Sequence, residues 1–233
     1  VWANFFSVGL VEKVDDLRLT NPPSNEKLLA RLAMFLVKNK YDLKSLVRLI
    51  MNSETYQRTS RPLEGNQSDT RFYSRYYPRR LKAEVLLDAM SAATGQPTAF
   101  KGFPGGTRAL QLPDSNIASR FLSTFGRPER VITCECERSD EPSMVQVLHI
   151  VNGDTLNNKL QAKTNRLTPL LRTGPDYRII ETAYLAALSR YPTDRELTEV
   201  LKVFAETKPA EKRQLIEDLF WGIISSREFL FNH

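Results

Sequence analysis

The chain has 233 residues, 41% of them hydrophobic and 26% charged, with a net charge of +6 and a pI near 9.3. That composition is ordinary for a folded, water-soluble protein. A chain this long buries roughly 70% of the surface its unfolded form exposes, so it needs no metal or disulfide staple to fold. No apolar run is long enough to act as a signal peptide or a membrane span.

The chain opens on an apolar, helix-like run, Val1 to Phe6, in which Trp2, Phe5 and Phe6 stand at helical spacing. Lacking an initiator Met, this start reads as the boundary of a fragment cut from a larger parent. Residues 8–24, with Pro22-Pro23, read as an extended connection. Leu28, Leu29, Leu32, Phe35 and Leu36 fall on one helical face, and Leu43, Leu46, Val47 and Ile50 on another. Residues 58–71 are polar and predict a surface loop. Leu81, Val85, Leu86, Ala89 and Ala93 form a third stripe, with Gly95 suited to the helix exit. Residues 96–116 hold Pro97, Gly102, Pro104, Gly105, Gly106 and Pro113, which predicts an irregular loop with a short strand over Thr107 to Leu112.

Ile117, Phe121 and Phe125 make a fourth stripe. Ser143-Met144-Val145-Gln146 and Thr193-Asp194-Arg195-Glu196 both read as capping boxes, in which side chains satisfy the first-turn N–H groups. Three stronger helices follow, Ile180 to Leu188, Leu197 to Phe204 and Leu215 to Ile224, with Pro175 and Pro209 in first turns. The last would run about 17 residues from Glu211, a rod about 25 Å long. The pattern predicts an all-α, irregular multi-helix domain with short β-like or loop excursions around residues 96–116. It would form one continuous core across 1–233, with its last three helices (175–233) as a candidate subdomain.

Cys134-Glu135-Cys136 holds the only two cysteines. Such a pair can close as a tight disulfide, supply two thiolates to a metal, or sit as two packed thiols. The only histidines are His149 and His233, and a Cys134/Cys136/His149 set lacks the paired spacing of a zinc site, so no metal is expected. Without a Cys-x-x-Cys-His this chain attaches no haem c of its own. It also has no nucleophile elbow, no His-Glu-x-x-His and no glycine-rich phosphate loop, so no catalytic residue is nominated.

Charge is uneven: residues 61–133 carry 11 Lys+Arg against 6 Asp+Glu, while 134–233 carry 13 against 15, so any anionic partner should meet the middle. There, Arg71 to Arg80 interleaves basic and aromatic groups. Tyr76, Tyr77, Arg79 and Arg80 could stack on sugars or bases and hold acidic groups, or simply pack and pair. Arg108, Arg127, Arg130 and Arg138 cluster around the glycine-rich loop and the Cys-x-Cys. Near Asp114, Glu129, Glu135 and Glu137 they predict an arginine–carboxylate network pinning irregular loops, with an anion-binding pocket as the sharper alternative.

Several long motifs carry a resemblance. They are Asp15-Asp16-Leu17-Arg18 with Asn21-Pro22-Pro23-Ser24-Asn25, Tyr77-Pro78-Arg79-Arg80-Leu81-Lys82-Ala83-Glu84-Val85-Leu86-Leu87-Asp88-Ala89, Gly106 to Asp114, Phe125 to Arg130, Cys134 to Ser139, and Ser226 to His233. In these the chain resembles a planctomycete-type family of unknown function that forms the C-terminal region of large exported proteins, often with an upstream cytochrome-c-like domain. The resemblance implies an extracytoplasmic setting (periplasm or cell surface), in which a Cys134–Cys136 bridge would be allowed. It implies haem c only in an upstream domain, and it names no reaction, substrate or catalytic residue.

The leading expectation is a non-catalytic interaction or scaffolding module that docks on upstream domains of its own polypeptide. A substrate-binding or catalytic part of an enzyme acting on acidic polysaccharide is the alternative, and an electron-transfer-associated module the third. Nucleic-acid binding is disfavoured by an exported location.

Overall fold

The computed structural model describes residues 1–12, 14, 16–113, 117–129, 142–172 and 174–232. The chain divides into two units, residues 1–79 and 80–232, each with its own apolar cluster. Where the sequence leads one to expect a single continuous core, there are two. Tyr73 and Tyr77 belong to the first cluster with Phe6, and Tyr76 is tied to α1 by its hydroxyl at the Phe5 carbonyl.

The first unit contains α1 (Trp2–Phe6), α2 (Glu26–Lys38) and α3 (Leu43–Met51). Asn25 caps α2 by accepting from the Leu28 N–H at 3.0 Å, and Asp42 caps α3 by accepting from the Lys44 N–H at 2.9 Å. Between them Lys40 and Tyr41 take left-handed φ values of 53° and 62°, and the Tyr41 N–H donates to the Leu36 carbonyl at 2.8 Å. That contact closes the α2–α3 turn. Around Phe6, Leu46 and Ile50 the aromatic residues Trp2, Tyr56, Tyr73 and Tyr77 complete the cluster. The expected connection at 8–24 and loop at 58–71 form turns and bends with no helix or strand among their described residues.

The second unit is built around α4 (Ala83–Thr94), which packs against α5 (Arg120–Thr124), α7 (Asp154–Gln161) and α9 (Asp176–Leu188). In the same unit, α6 (Met144–Asn152) meets α5 and α7, and α10 (Asp194–Glu206) meets α9. Packed against α7, α9 and α8 (Leu167–Leu170) is α11 (Lys212–Ile224), while α12 (Arg227–Leu230) leans on α11 and α9. A two-stranded ladder joins β1 (Arg79–Arg80) to β2 (Phe231–Asn232), and beside it the Leu81 N–H donates to the Leu230 carbonyl at 2.9 Å. Leu86, Leu87, Met90, Ile179, Ile180, Ile216, Phe220 and Ile224 are fully buried, each contributing roughly 1.5–3 kcal/mol. Because α9 and α11 share this core with α4, the last helices have no separate core of their own.

Both capping boxes form, Ser143 with Gln146 and Thr193 with Glu196. Gly95 ends α4 at φ 69°, where a side chain would press on Arg166. Three local expectations change. Thr107 to Leu112 holds a 3-10 turn, Ala109–Gln111, in place of a strand, because the Asp88 carboxylate accepts from the Ala109 and Leu110 N–H groups at 2.7 and 3.2 Å. The stripe through Ile117 and Phe125 shortens to the five residues of α5. Pro209 starts a separate 3-10 turn, Pro209–Glu211, and α11 runs from Lys212 only to Ile224 before Ser226 caps the next helix, so it has 13 residues and spans about 20 Å.

Candidate functional site

The residues nominated from sequence fall in both units. In the first, Tyr76 and Tyr77 are 3% and 8% exposed, so neither offers a ring face to a sugar or a base. The Tyr76 hydroxyl donates to the Phe5 carbonyl at 3.0 Å, and that of Tyr77 accepts from the Tyr73 N–H at 3.0 Å. Tyr73 in turn donates to the Val8 and Gly9 carbonyls at 3.1 and 2.9 Å. Burial raises the pKa of all three phenols. Asp69 shapes the turn before them, accepting from the Arg71, Phe72 and Ser74 N–H groups. Its carboxyl is held well below the usual range, by hydrogen bonding to Ser74 foremost. The three tyrosines of the basic run are therefore a pillar of the core, while Phe72 is exposed. Arg79 is half-buried in β1.

In the second unit Arg80, Arg127, Gln146 and Glu84 form a polar centre beside the start of α4. Arg80 donates to the Gln146 side-chain oxygen, and its guanidinium lies 5.4 Å from the centre of the Phe125 ring. Gln146 also donates to the Thr124 carbonyl at 3.0 Å, tying α6 to α5. The Arg127 side chain is only 6% exposed, and its Nε stands 3.7 Å from the carboxylate of Glu84 in the first turn of α4. Arg108 is far more exposed and pairs with Asp88 at 3.4 Å. Both of these carboxylates come from α4, a long-range pairing no local pattern announces. Arg130, Arg138, Cys134, Cys136, Asp114, Glu135 and Glu137 lie outside the described residues.

His149 sits on the inner side of α6, edge-on to the rings of Phe121 and Phe125, with its Nε2 2.9 Å from the Thr155 hydroxyl. Burial lowers its pKa, which favours neutral imidazole. Among the described residues no group of three His, Cys, Asp or Glu side chains could hold a metal ion. The centre joins one carboxylate already matched by a guanidinium to a histidine bonded to a threonine. Each of these polar contacts ties one element to another, Gln146 holding α6 to α5 and His149 holding α6 to α7.

Sequence reading missed Lys159 altogether. Its side chain lies in the core at 5% exposure and donates to Ser91 Oγ, the Gln96 carbonyl and Thr98 Oγ1 at 3.0, 2.8 and 2.7 Å. All three partners are neutral, and burial brings the ammonium pKa down to about 8. Lys159 thereby fastens the segment after α4 to α7.

The surface holds the most unusual feature. On α6 the polar Gln146 and His149 face inward with Ile150, while Met144, Val145, Val147, Leu148 and Val151 face solvent. Met144 is 71% exposed and Leu148 54%. Met144, Val147, Leu148 and Val151 stand at i, i+3, i+4 and i+7, the anchor spacing of a helix that enters a groove. Among the described residues no helix is long and apolar enough to cross a membrane.

No curated protein and no solved structure matches the chain. A family model described as PSD1, protein of unknown function (DUF1553), matches residues 1–204. With that match over most of its length, the chain belongs to the PSD1 (DUF1553) family of proteins of unknown function.

Proposed function

We propose that this region is a non-catalytic interaction module, docking through the outer face of α6 on a neighbouring domain of its own polypeptide. The reversed polarity of α6 carries the reading. A helix that exposes five apolar side chains and buries a glutamine and a histidine is matched to a surface outside its own unit. The inward polar groups are spent on bracing α5 and α7, which holds the apolar face rigid and ready. The burial of Tyr76 and Tyr77 supports the same reading, because it withdraws these two rings from an acidic polysaccharide.

The setting in this reading is an exported multidomain polypeptide, supported by the motif resemblance alone, and any haem c belongs to a neighbouring domain. The test supplies the remaining domains of the native polypeptide in trans and measures binding by calorimetry. Wild-type protein should bind, and Val147→Asp/Leu148→Asp should weaken binding by about 100-fold or more, as loss of two central anchors does. Its unfolding free energy should stay within about 0.5 kcal/mol of wild type, since both side chains face solvent. Equal binding by wild type and variant would exclude the α6 face.

A further inference from the structure

A second, chemically different surface lies on α3. Leu43, Val47 and Met51 follow one another at four-residue intervals beside the buried Leu46 and Ile50. Lys44 and Arg48 run parallel to them, one position further round the helix, and both are exposed. With Asn52 these five residues line a shallow groove of about 600 Å³. Leu43 and Met51 are about half exposed, and no residue of the neighbouring helix α2 is fully buried. The α2–α3 pair is thus an amphipathic layer with one side uncovered.

We infer that α3 receives an acidic amphipathic helix, whose apolar seam covers Leu43, Val47 and Met51 and whose flanking carboxylates meet Lys44 and Arg48. An apolar row of four-residue steps with a basic row beside it is half of a helix–helix contact. Its complement is a seam edged by the opposite charge. The groove is open along its length and is lined by one helix end to end, which suits a rod and gives a small molecule no enclosing wall. Two cations and three apolar side chains over about two and a half helical turns are too few to hold a lipid surface by electrostatics alone. α3 belongs to the first unit and α6 to the second, and the two readings use different residues and are tested independently.

The test uses the whole 233-residue chain and two synthetic helical peptides of about three heptads. Both carry the same leucine seam, one flanked by glutamate and the other by lysine, and binding is read by fluorescence anisotropy. The glutamate peptide should bind on the order of tenfold more tightly at low salt, with the preference shrinking as salt screens it. Lys44→Glu/Arg48→Glu should reverse the preference, and Val47→Asp should abolish binding of both peptides. Equal affinities, no binding, or a preference that survives the charge reversal would overturn the inference. So would a dimer that Val47→Asp dissociates, which would assign the face to a second copy, or binding to anionic phosphatidylglycerol vesicles that Val47→Asp removes.

Discussion

Residues 1–79 and residues 80–232 differ in the polar side chains they bury. In the first unit the phenol hydroxyls of Tyr73, Tyr76 and Tyr77 each reach a main-chain group, as Tyr76 does at Phe5 and Tyr73 at Val8 and Gly9. In the second the buried set includes charged side chains, the Lys159 ammonium among three neutral oxygens and Arg127 beside Glu84, together with the neutral Thr94, Gln146 and Asn165. The second unit can shelter ions because α4, α9 and α11 surround one deep apolar cluster. In the first, α2 has no fully buried residue although Leu28, Leu32 and Phe35 share a face. One unit encloses a deep cluster and exposes its apolar side chains on α6, and the other is a thinner layer whose α2 has no fully buried residue.

The largest test of that contrast compares one aliphatic truncation in each unit. Ile180→Ala, at a fully buried site of α9, should lower the unfolding free energy by about 3–4 kcal/mol in urea titrations. Leu32→Ala on α2 should cost only about 1 kcal/mol, because its side chain is already half in water. Equal losses would erase the difference between the units.

Next in size is a pH effect specific to the second unit. The Lys159 pKa is lowered from its ordinary 10.5 to about 8, so the folded chain sheds this proton before the unfolded chain does. Between those values the unfolded state binds more protons, and stability from this group must rise with pH. Raising the pH from about 8 to about 9.5 should therefore add on the order of 2 kcal/mol, and Lys159→Met should flatten that rise. The phenols of Tyr73, Tyr76 and Tyr77, all shifted upward by burial, titrate above this window. A rise that persists unchanged in Lys159→Met would assign it elsewhere.

The smallest effect sharpens the account of the first unit. Tyr76→Phe removes only the hydroxyl that reaches the Phe5 carbonyl, and should cost about 1 kcal/mol by thermal unfolding. A larger loss with slowed refolding would give Tyr76 a further role in folding. No loss would remove the hydroxyl from the forces that hold α1.

Much of the fold was legible because it is written locally. Stripes at three- and four-residue spacing located α2, α3, α4, α9, α10 and α11, and the two capping boxes located the starts of α6 and α10. What escaped is what distance in the chain conceals. Asp88 pulls Ala109 into a 3-10 turn from 21 residues away, and Lys159 reaches back 68 residues to Ser91. The polarity of α6 escaped for another reason. Its sequence is apolar on nearly every side, and the one local signal, Gln146 and His149 three residues apart, marks a polar stripe without saying that it points inward. Tyr76 and Tyr77 read from sequence as packed side chains with a stacking platform as the alternative, and their burial decides for packing.

The four methionines, Met34, Met51, Met90 and Met144, make hydroxyl-radical footprinting the most direct measurement of the α6 docking face. Met90 is fully buried and should stay unoxidised, whereas Met34 and Met144 are 63% and 71% exposed and should react readily in the isolated 233-residue chain. With the proposed neighbouring domains present, Met144 should become protected severalfold while Met90 stays silent. Oxidation of Met144 at the same rate in both would mean that nothing docks on α6.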